Sequence, residues 1–356
     1  MVGVGKPPPT ILFLGETMKH LVLTGCVGFI GINFLEHLLT RKDILSKYKS
    51  VISIDKKGYA AEYNTAHYFD LAKKFDEGHV KFVDIESDIN SKDFVSRKIA
   101  HESGDTFDIL DFASSSHVDN SIKDPYAQYS QNANLPAHLC SKFGLANIEN
   151  FIHISTDEVY GDIDYEEAKL KKNWFTTKTP FNPGNPYSAS KVAQDAFLMS
   201  MKHTFGLNVR FIRMANQFGP WQHGEKMLPA SILRALAGDP IRVYGEGKNI
   251  RQWTPVVDTV KIIADILDQP TAYPTVAHIA APQMLQSNMY WVEEWRSVLQ
   301  ANGIDSSLKF VEDRKGHDKV YALNDCVKWD DSAPSISNRF VETIKWYIDN
   351  RKVYGV

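Results

Sequence analysis

The chain lacks the features that mark several large classes of protein. It has only three cysteines in 356 residues. Cys26, Cys140 and Cys326 form neither a disulfide framework nor a metal-ligand spacing, so no metal is expected and a reducing cytoplasm suits them. No apolar run approaches the roughly 20 residues of a membrane-spanning helix, so no membrane partner is expected. There is no long basic tract and the net charge is −3, which argues against nucleic acid or an anionic membrane surface as the main partner. Internal repeats and low-complexity tracts are missing too. What remains is ordinary globular composition, 43% hydrophobic and 23% charged, in a chain long enough to bury a full core.

Met18-Lys19-His20 leads straight into an apolar strand, as a natural start would. Residues 1–17 carry Pro7-Pro8-Pro9 and the short run Ile11-Leu12-Phe13-Leu14. They are expected to be an N-terminal extension or a cloning remnant, because a signal peptide needs a longer apolar stretch.

The first informative segment is Leu21-Val22-Leu23-Thr24-Gly25-Cys26-Val27-Gly28-Phe29-Ile30-Gly31. An apolar strand runs into glycines spaced G-x-x-G-x-x-G, and an apolar helix follows from Phe29. Glycines let the backbone approach a pyrophosphate, and the helix N-terminus offers free N–H groups and a partial positive charge. A second strand, Val51 to Ile54, ends in Asp55. A carboxylate there can accept bonds from the adenosine ribose hydroxyls and would repel a 2′-phosphate, so the expected cofactor is NAD rather than NADP.

Strands are expected at 20–24, 50–54, 79–83, 107–112, 150–155 and 208–213, with helices at 28–40, 64–74, 91–102, 125–143, 186–205 and 226–237. This alternation predicts an α/β fold, a doubly wound parallel Rossmann sheet with helices on both faces and ligands at the carboxyl ends of the strands. After Gly219-Pro220 the elements shorten and mix. The expected division is an NAD-binding Rossmann domain over about 18–215 and a smaller mixed C-terminal lobe, mainly substrate-binding, over 216–356. Residues 161–185 look like an inserted loop. Trp291 and Trp295, at i and i+4, are expected to be core, and His117 and His153 to be hydrogen-bonded structural residues.

Two further segments carry chemistry: Ser155-Thr156-Asp157-Glu158-Val159-Tyr160-Gly161-Asp162 and Pro186-Tyr187-Ser188-Ala189-Ser190-Lys191. Tyr187 and Lys191, at i and i+4, share one face of a helix. A neighbouring ammonium is expected to lower the phenol pKa and make Tyr187 a base for a sugar hydroxyl. Thr156, Asp157 and Glu158 place a hydroxyl, an acid and a base side by side at a strand end, which suits a reaction with several proton transfers.

These motifs, with Ser116-His117-Val118-Asp119-Asn120-Ser121, Glu225-Lys226-Met227-Leu228-Pro229, Val243-Tyr244-Gly245-Glu246-Gly247 and Gly316-His317-Asp318, give the chain a family likeness. It resembles the extended short-chain dehydrogenase/reductases, and within them the nucleotide-sugar 4,6-dehydratases of the dTDP-glucose 4,6-dehydratase type. The Asp157-Glu158 pair sets that group apart from the related 4-epimerases and uronate decarboxylases. The resemblance implies an NAD enzyme and a nucleotide-sugar substrate. It implies that Thr156 and Tyr187 contact the sugar 4-oxygen and that Lys191 meets the nicotinamide ribose. Asp84 and Ile85 would border the adenine. Gly25, Val27, Gly28, Phe29, Ile30, Gly31, Asp55, Lys56, Phe112, Ala113, Ser114 and Gln217 would complete the cofactor site. Ser116, Asn216, Lys226, Met227, Arg251, Arg314 and Tyr321 would hold the nucleotide-sugar, a guanidinium fork being suited to diphosphate oxygens. It also implies a homodimer through the helices near 125–143 and 186–205.

Three segments depart from the family pattern. Ala113-Ser114-Ser115-Ser116-His117 lacks its usual glutamate, Asn216-Gln217-Phe218-Gly219-Pro220 replaces Asn-Asn-Tyr-Gly-Pro, and His278-Ile279-Ala280-Ala281-Pro282-Gln283 replaces an Asn-Ile-Gly-Gly segment with a later Asn. The nucleotide base, dTDP or UDP or another, and the hexose therefore stay open. So do a 4-epimerase or uronate decarboxylase on the same scaffold, and a non-catalytic NAD-binding regulator.

Overall fold

A computed structural model describes residues 18–78, 80–96, 104–170, 174–281, 285–313, 318–324, 326–329 and 334–356. Residues 1–17, Arg314, Gly316 and His317 lie outside the described residues.

Six strands come first: β1 (Lys19–Thr24), β2 (Ser50–Asp55), β3 (Lys81–Glu86), β4 (Thr106–Asp111), β5 (Ile148–Thr156) and β6 (Val209–Met214). β7 (Asn216–Phe218), β8 (Ile241–Tyr244), β9 (Ile250–Pro255), β10 (Val276–Ile279), β11 (Leu285–Ser287) and β12 (Leu308–Val311) follow. Seven strands form one sheet in the order β10-β6-β5-β4-β1-β2-β3, and every pair in it is parallel. The order turns back between β1 and β4, which is where an open parallel sheet leaves a crevice for ligand. The central strands are buried almost throughout, as in a sheet covered on both faces. One face packs under the Phe29–Leu38 and Val256–Asp268 helices, the other under Leu135–Phe143 and Leu198. The α/β doubly wound Rossmann architecture expected from the alternation is the architecture observed.

Two smaller sheets, β11-β9-β7 and β12-β8, belong to the second part of the chain. Their core is aromatic: Phe218, Trp253, Trp291, Trp295, Phe340 and Tyr347 are buried together. Residues 256–279, which fall inside the expected 216–356 lobe, return to the large sheet: their helix packs on Phe29–Leu38 and β10 pairs with β6. Among the described residues no helix is long and apolar enough to cross a membrane.

The helix expected over 91–102 is described over Lys92–Ser96, and its remainder lies outside the described residues. Among the described residues, two elements differ from expectation. The helix expected over 125–143 is two, Pro125–Ala133 and Leu135–Phe143, joined at Asn134. Pro136 has no N–H and its ring crowds the carbonyl four residues back. That carbonyl, Asn132 O, accepts instead from Gln194 Nε2 at 2.7 Å. The third strand runs over Lys81–Glu86 rather than 79–83, and this shift moves a site.

Candidate active site

A cavity of about 810 Å³ opens along the carboxyl ends of β1, β2, β4 and β5 and is closed from above by the second part of the chain. That is the size of a site for a cofactor or substrate rather than a packing defect.

Its floor is the glycine turn. Gly25 has φ +67°, and a Cβ there would lie 2.8 Å from Ala113 N. A Cβ on Gly31 would lie 2.4 Å from Gly25 O. Only hydrogen fits at both, so the turn and the helix lie close enough for a ligand to reach the backbone. No side chain caps the Phe29–Leu38 helix at its N-terminus, and Gly28, Phe29, Ile30 and Gly31 line the cavity. Unsatisfied N–H groups at such a terminus suit a pyrophosphate. Asp55 stands at the rim, where Oδ2 accepts from Val27 N at 2.9 Å and Oδ1 from Lys57 N at 2.7 Å. Its outward lone pairs remain for ribose hydroxyls. These residues fit a dinucleotide.

Of the residues expected at the cofactor, Gly25, Gly28, Phe29, Ile30, Gly31, Asp55, Lys56, Phe112, Ala113, Ser114, Tyr187, Lys191 and Gln217 line the cavity. Val27 does not; it is buried behind the turn. Asp84 and Ile85 do not either. Because β3 extends to Glu86, Asp84 lies within the strand, where it pairs with Lys57 Nζ at 2.6 Å and accepts from Tyr68 OH at 2.6 Å. A second Asp-Ile dipeptide, Asp88-Ile89, lies past the strand end and lines the cavity wall.

The reactive groups meet where β5 ends and the Pro186–Phe205 helix begins. Thr156 Oγ1 donates to Asp157 Oδ1 at 3.2 Å and accepts from Glu158 N at 3.3 Å. Asp157 Oδ2 is buried and has no hydrogen-bond partner among the described residues. Burial, then the charge of Glu158, pushes the Asp157 carboxyl up to about 7. Burial also raises Glu158, with Asn185 and Arg251 opposing.

Across from them stand Tyr187 and Lys191, both buried. Here an expectation is corrected: the Tyr187 phenol is raised, not lowered, by burial and by the charges of Glu158 and Asp157. Lys191 points past it. Its ammonium donates to Ile154 O at 2.8 Å and lies 3.3 Å from His153 Nε2. His153 Nδ1 is 2.9 Å from Asp111 Oδ2. A proton held on Nδ1 by that carboxylate leaves Nε2 to accept from Lys191. Two of the three ammonium donors are thus used beneath the sheet edge, and one remains for the cavity. Burial draws Lys191 down to about 8, with Asp111 and Asp195 resisting.

Ser116, Asn216, Lys226, Met227, Arg251 and Tyr321 also line the cavity; Arg314 lies outside the described residues. Lys226 Nζ donates to Ser116 O at 3.1 Å across the opening. Arg251 is buried over the Tyr321 ring, 4.2 Å from its centroid, and donates to Asp318 O at 2.7 Å. Sequence reasoning missed Asp88, Ile89, Asn185 and Asp318 as lining residues. Asn185 was detectable as an Asn directly before a helix-initiating proline.

The family model described as NAD dependent epimerase/dehydratase family matches residues 21–280. The chain belongs to that family. It is similar to a dTDP-glucose 4,6-dehydratase of Xanthomonas campestris, 32% identical over 95% of this chain and 96% of the relative. A low-salt glycan biosynthesis protein of Haloferax volcanii is 35% identical over 85% of this chain and 89% of its own length. Among solved structures, the dTDP-glucose 4,6-dehydratase DesIV of Streptomyces venezuelae, with NAD bound, superposes with a TM-score of 0.79. It is 31% identical and covers 94% of this chain and 98% of its own.

Proposed function

We propose that the protein is an NAD-dependent nucleotide-sugar 4,6-dehydratase, converting an NDP-glucose to its 4-keto-6-deoxy sugar. The observation that carries this reading is Asp157, its Oδ2 buried without a hydrogen-bond partner among the described residues and its carboxyl pushed up to about 7, beside Glu158 and facing Tyr187 and Lys191 in one cavity. When bound, NAD supplies a hydride acceptor for the first step and a hydride donor for the last. Tyr187 is proposed to take the proton of the sugar 4-hydroxyl as the phenolate, a form that burial and the two carboxyls oppose and that the positive charge of bound NAD and of Lys191 would favour, with the Thr156 hydroxyl beside the same oxygen. Lys191 directs its remaining N–H into the cavity. A ketone at C4 acidifies the proton at C5. Glu158 removes it, Asp157 delivers its proton to the departing 6-hydroxyl, water leaves, and Glu158 returns a proton to C5. A 4-epimerase or uronate decarboxylase would have no use for a carboxyl kept protonated near neutral pH next to a second one.

Arg251, Lys226, Asn216, Met227, Ser116 and Tyr321 are proposed to hold the nucleotide-sugar, the cations facing its diphosphate. Asp55 favours NAD over NADP. The Pro125–Ala133 helix packs on Pro186–Phe205 and leaves Tyr126 and Tyr129 exposed on one side, which supports a homodimer through these helices. Light scattering at micromolar concentration would show a dimer; monomer alone would refute it. Three free cysteines fit a cytoplasmic enzyme. To test the activity, the protein is incubated with dTDP-glucose and with UDP-glucose, and alkali is added to reveal a 4-keto sugar by absorbance. No keto product from any NDP-glucose would overturn the dehydratase reading.

A further inference from the structure

Asn185 is the N-cap of the helix that carries Tyr187 and Lys191. Its Oδ1 accepts from Ser188 N at 2.9 Å, and Ser188 Oγ accepts in return from Asn185 N at 3.1 Å, a reciprocal capping box. The cap fixes which way the amide points, since only the oxygen can accept from the helix N–H. The other end, Nδ2, must then face outward from the helix, and it donates to Glu158 Oε2 at 3.3 Å.

We propose that Asn185 is a positioning residue that couples the two halves of the reaction: one amide anchors the helix of the oxidation step and orients the carboxylate of the C5 proton transfer. The inference rests on the reading of Glu158 as the C5 base. Serine, threonine or aspartate could each cap this helix. Serine and threonine are too short to span from the cap to Glu158 as this amide does, and aspartate would set a second negative charge against it. Asparagine combines a cap acceptor with a donor aimed at the base. The groups facing Glu158 are otherwise Asp157 on its own turn, Tyr187 from the helix, Arg251 from β9, Lys226 before the Met227–Leu236 helix, and Asp318 and Tyr321 from the C-terminal part. Arg251 and Lys226 favour its ionised form, Asp318 opposes it, and Asn185 supplies a directional bond to it.

Asn185→Ser keeps a good cap and removes the donor; Asn185→Ala removes both. Rapid mixing with substrate gives NADH formation, and deuterium uptake at C5 gives the second half. The expected result for Asn185→Ser is C5 exchange slowed about tenfold, with NADH formation slowed much less and NADH accumulating. The acid limb of C5 exchange should move to higher pH, because the lost donor had favoured the ionised base. Asn185→Asp should move it further in the same direction. Asn185→Ala should slow both steps, and serine at this position should restore only the first. A cap without any role at Glu158 would leave the pH limb unmoved in Asn185→Ser. Unaltered C5 exchange and an unmoved limb in that variant would overturn the inference, while Glu158→Gln measured in parallel reports separately on the base itself.

Discussion

The start of the Pro186–Phe205 helix and the end of β5 face one cavity, yet they are built in opposite ways. Lys191 is held by Ile154 O, His153 and, behind them, Asp111 and Asp195. Asp157 has one hydrogen bond from Thr156 and a buried oxygen with none. Burial drives both toward their neutral forms, Lys191 to about 8 and Asp157 to about 7. At the helix, carboxylates under the sheet edge resist that drift and a cation remains near neutral pH. At the strand end, Glu158 adds to it and a proton stays on Asp157. On the function proposed above, the difference is that one corner keeps its charge and its place while the other exchanges protons with a substrate.

The largest effect should come from separating the corners at the tyrosine. Tyr187→Phe should cut NADH formation by about 10²–10⁴-fold, the usual worth of a positioned proton acceptor, when substrate is mixed with the NAD-loaded enzyme. Glu158→Gln should do the reverse. C4 is oxidised and bound NADH builds up, seen by fluorescence, while C5 exchange in deuterated water falls by a similar factor. If Glu158→Gln fails to reduce NAD while Tyr187→Phe still reduces it, the two corners have been assigned the wrong way round.

A smaller effect follows from Asp157 itself. Its carboxyl is raised to about 7, so the protonated acid is present below that pH and is lost above it. Loss of the 6-hydroxyl should therefore fall about tenfold per pH unit on the alkaline side, as the protonated fraction falls. C5 exchange should not share that limb. In Asp157→Asn elimination should be slow at every pH, with no such limb, because an amide has no acidic proton to give. A limb that persists in Asp157→Asn would assign it to another group, Lys191 being the nearest candidate.

The sheet and the gathering of the candidate residues at its edge were legible because each is local: a strand, a turn and a helix in succession place Gly25, Asp55, Thr156 and Tyr187 at one edge. The register of β3 was not. Asp84-Ile85 and Asp88-Ile89 are the same dipeptide four residues apart, and a strand end placed three residues early selects the first. Nor did periodicity show that the apolar pattern over 125–143 breaks at Asn134, since Gln194, far along the chain, takes up the carbonyl that Pro136 frees. The return of 256–279 to the sheet, and the contact between Asn185 and Glu158, depend on packing between distant segments. Such pairings leave no periodic trace in the sequence.

The smallest expected effect is a control lying outside both corners. Asp55 ties the glycine turn to the end of β2 by accepting from Val27 N and Lys57 N with its two oxygens. An amide can accept at only one of these, so Asp55→Asn sets an N–H against an N–H and loosens the turn. It also removes the negative charge that opposes a 2′-phosphate. Preference for NAD over NADP should narrow by about tenfold, the scale of a hydrogen bond to a charged group, as read from fluorescence titration with each cofactor. Because Asp55 touches neither Tyr187 nor Glu158, NADH formation and C5 exchange should fall by one common factor at limiting NAD, and both should recover when NAD is raised. A variant that slowed one step and spared the other would mean that the cofactor turn is coupled to a single corner, and the division between helix start and strand end would have to be redrawn.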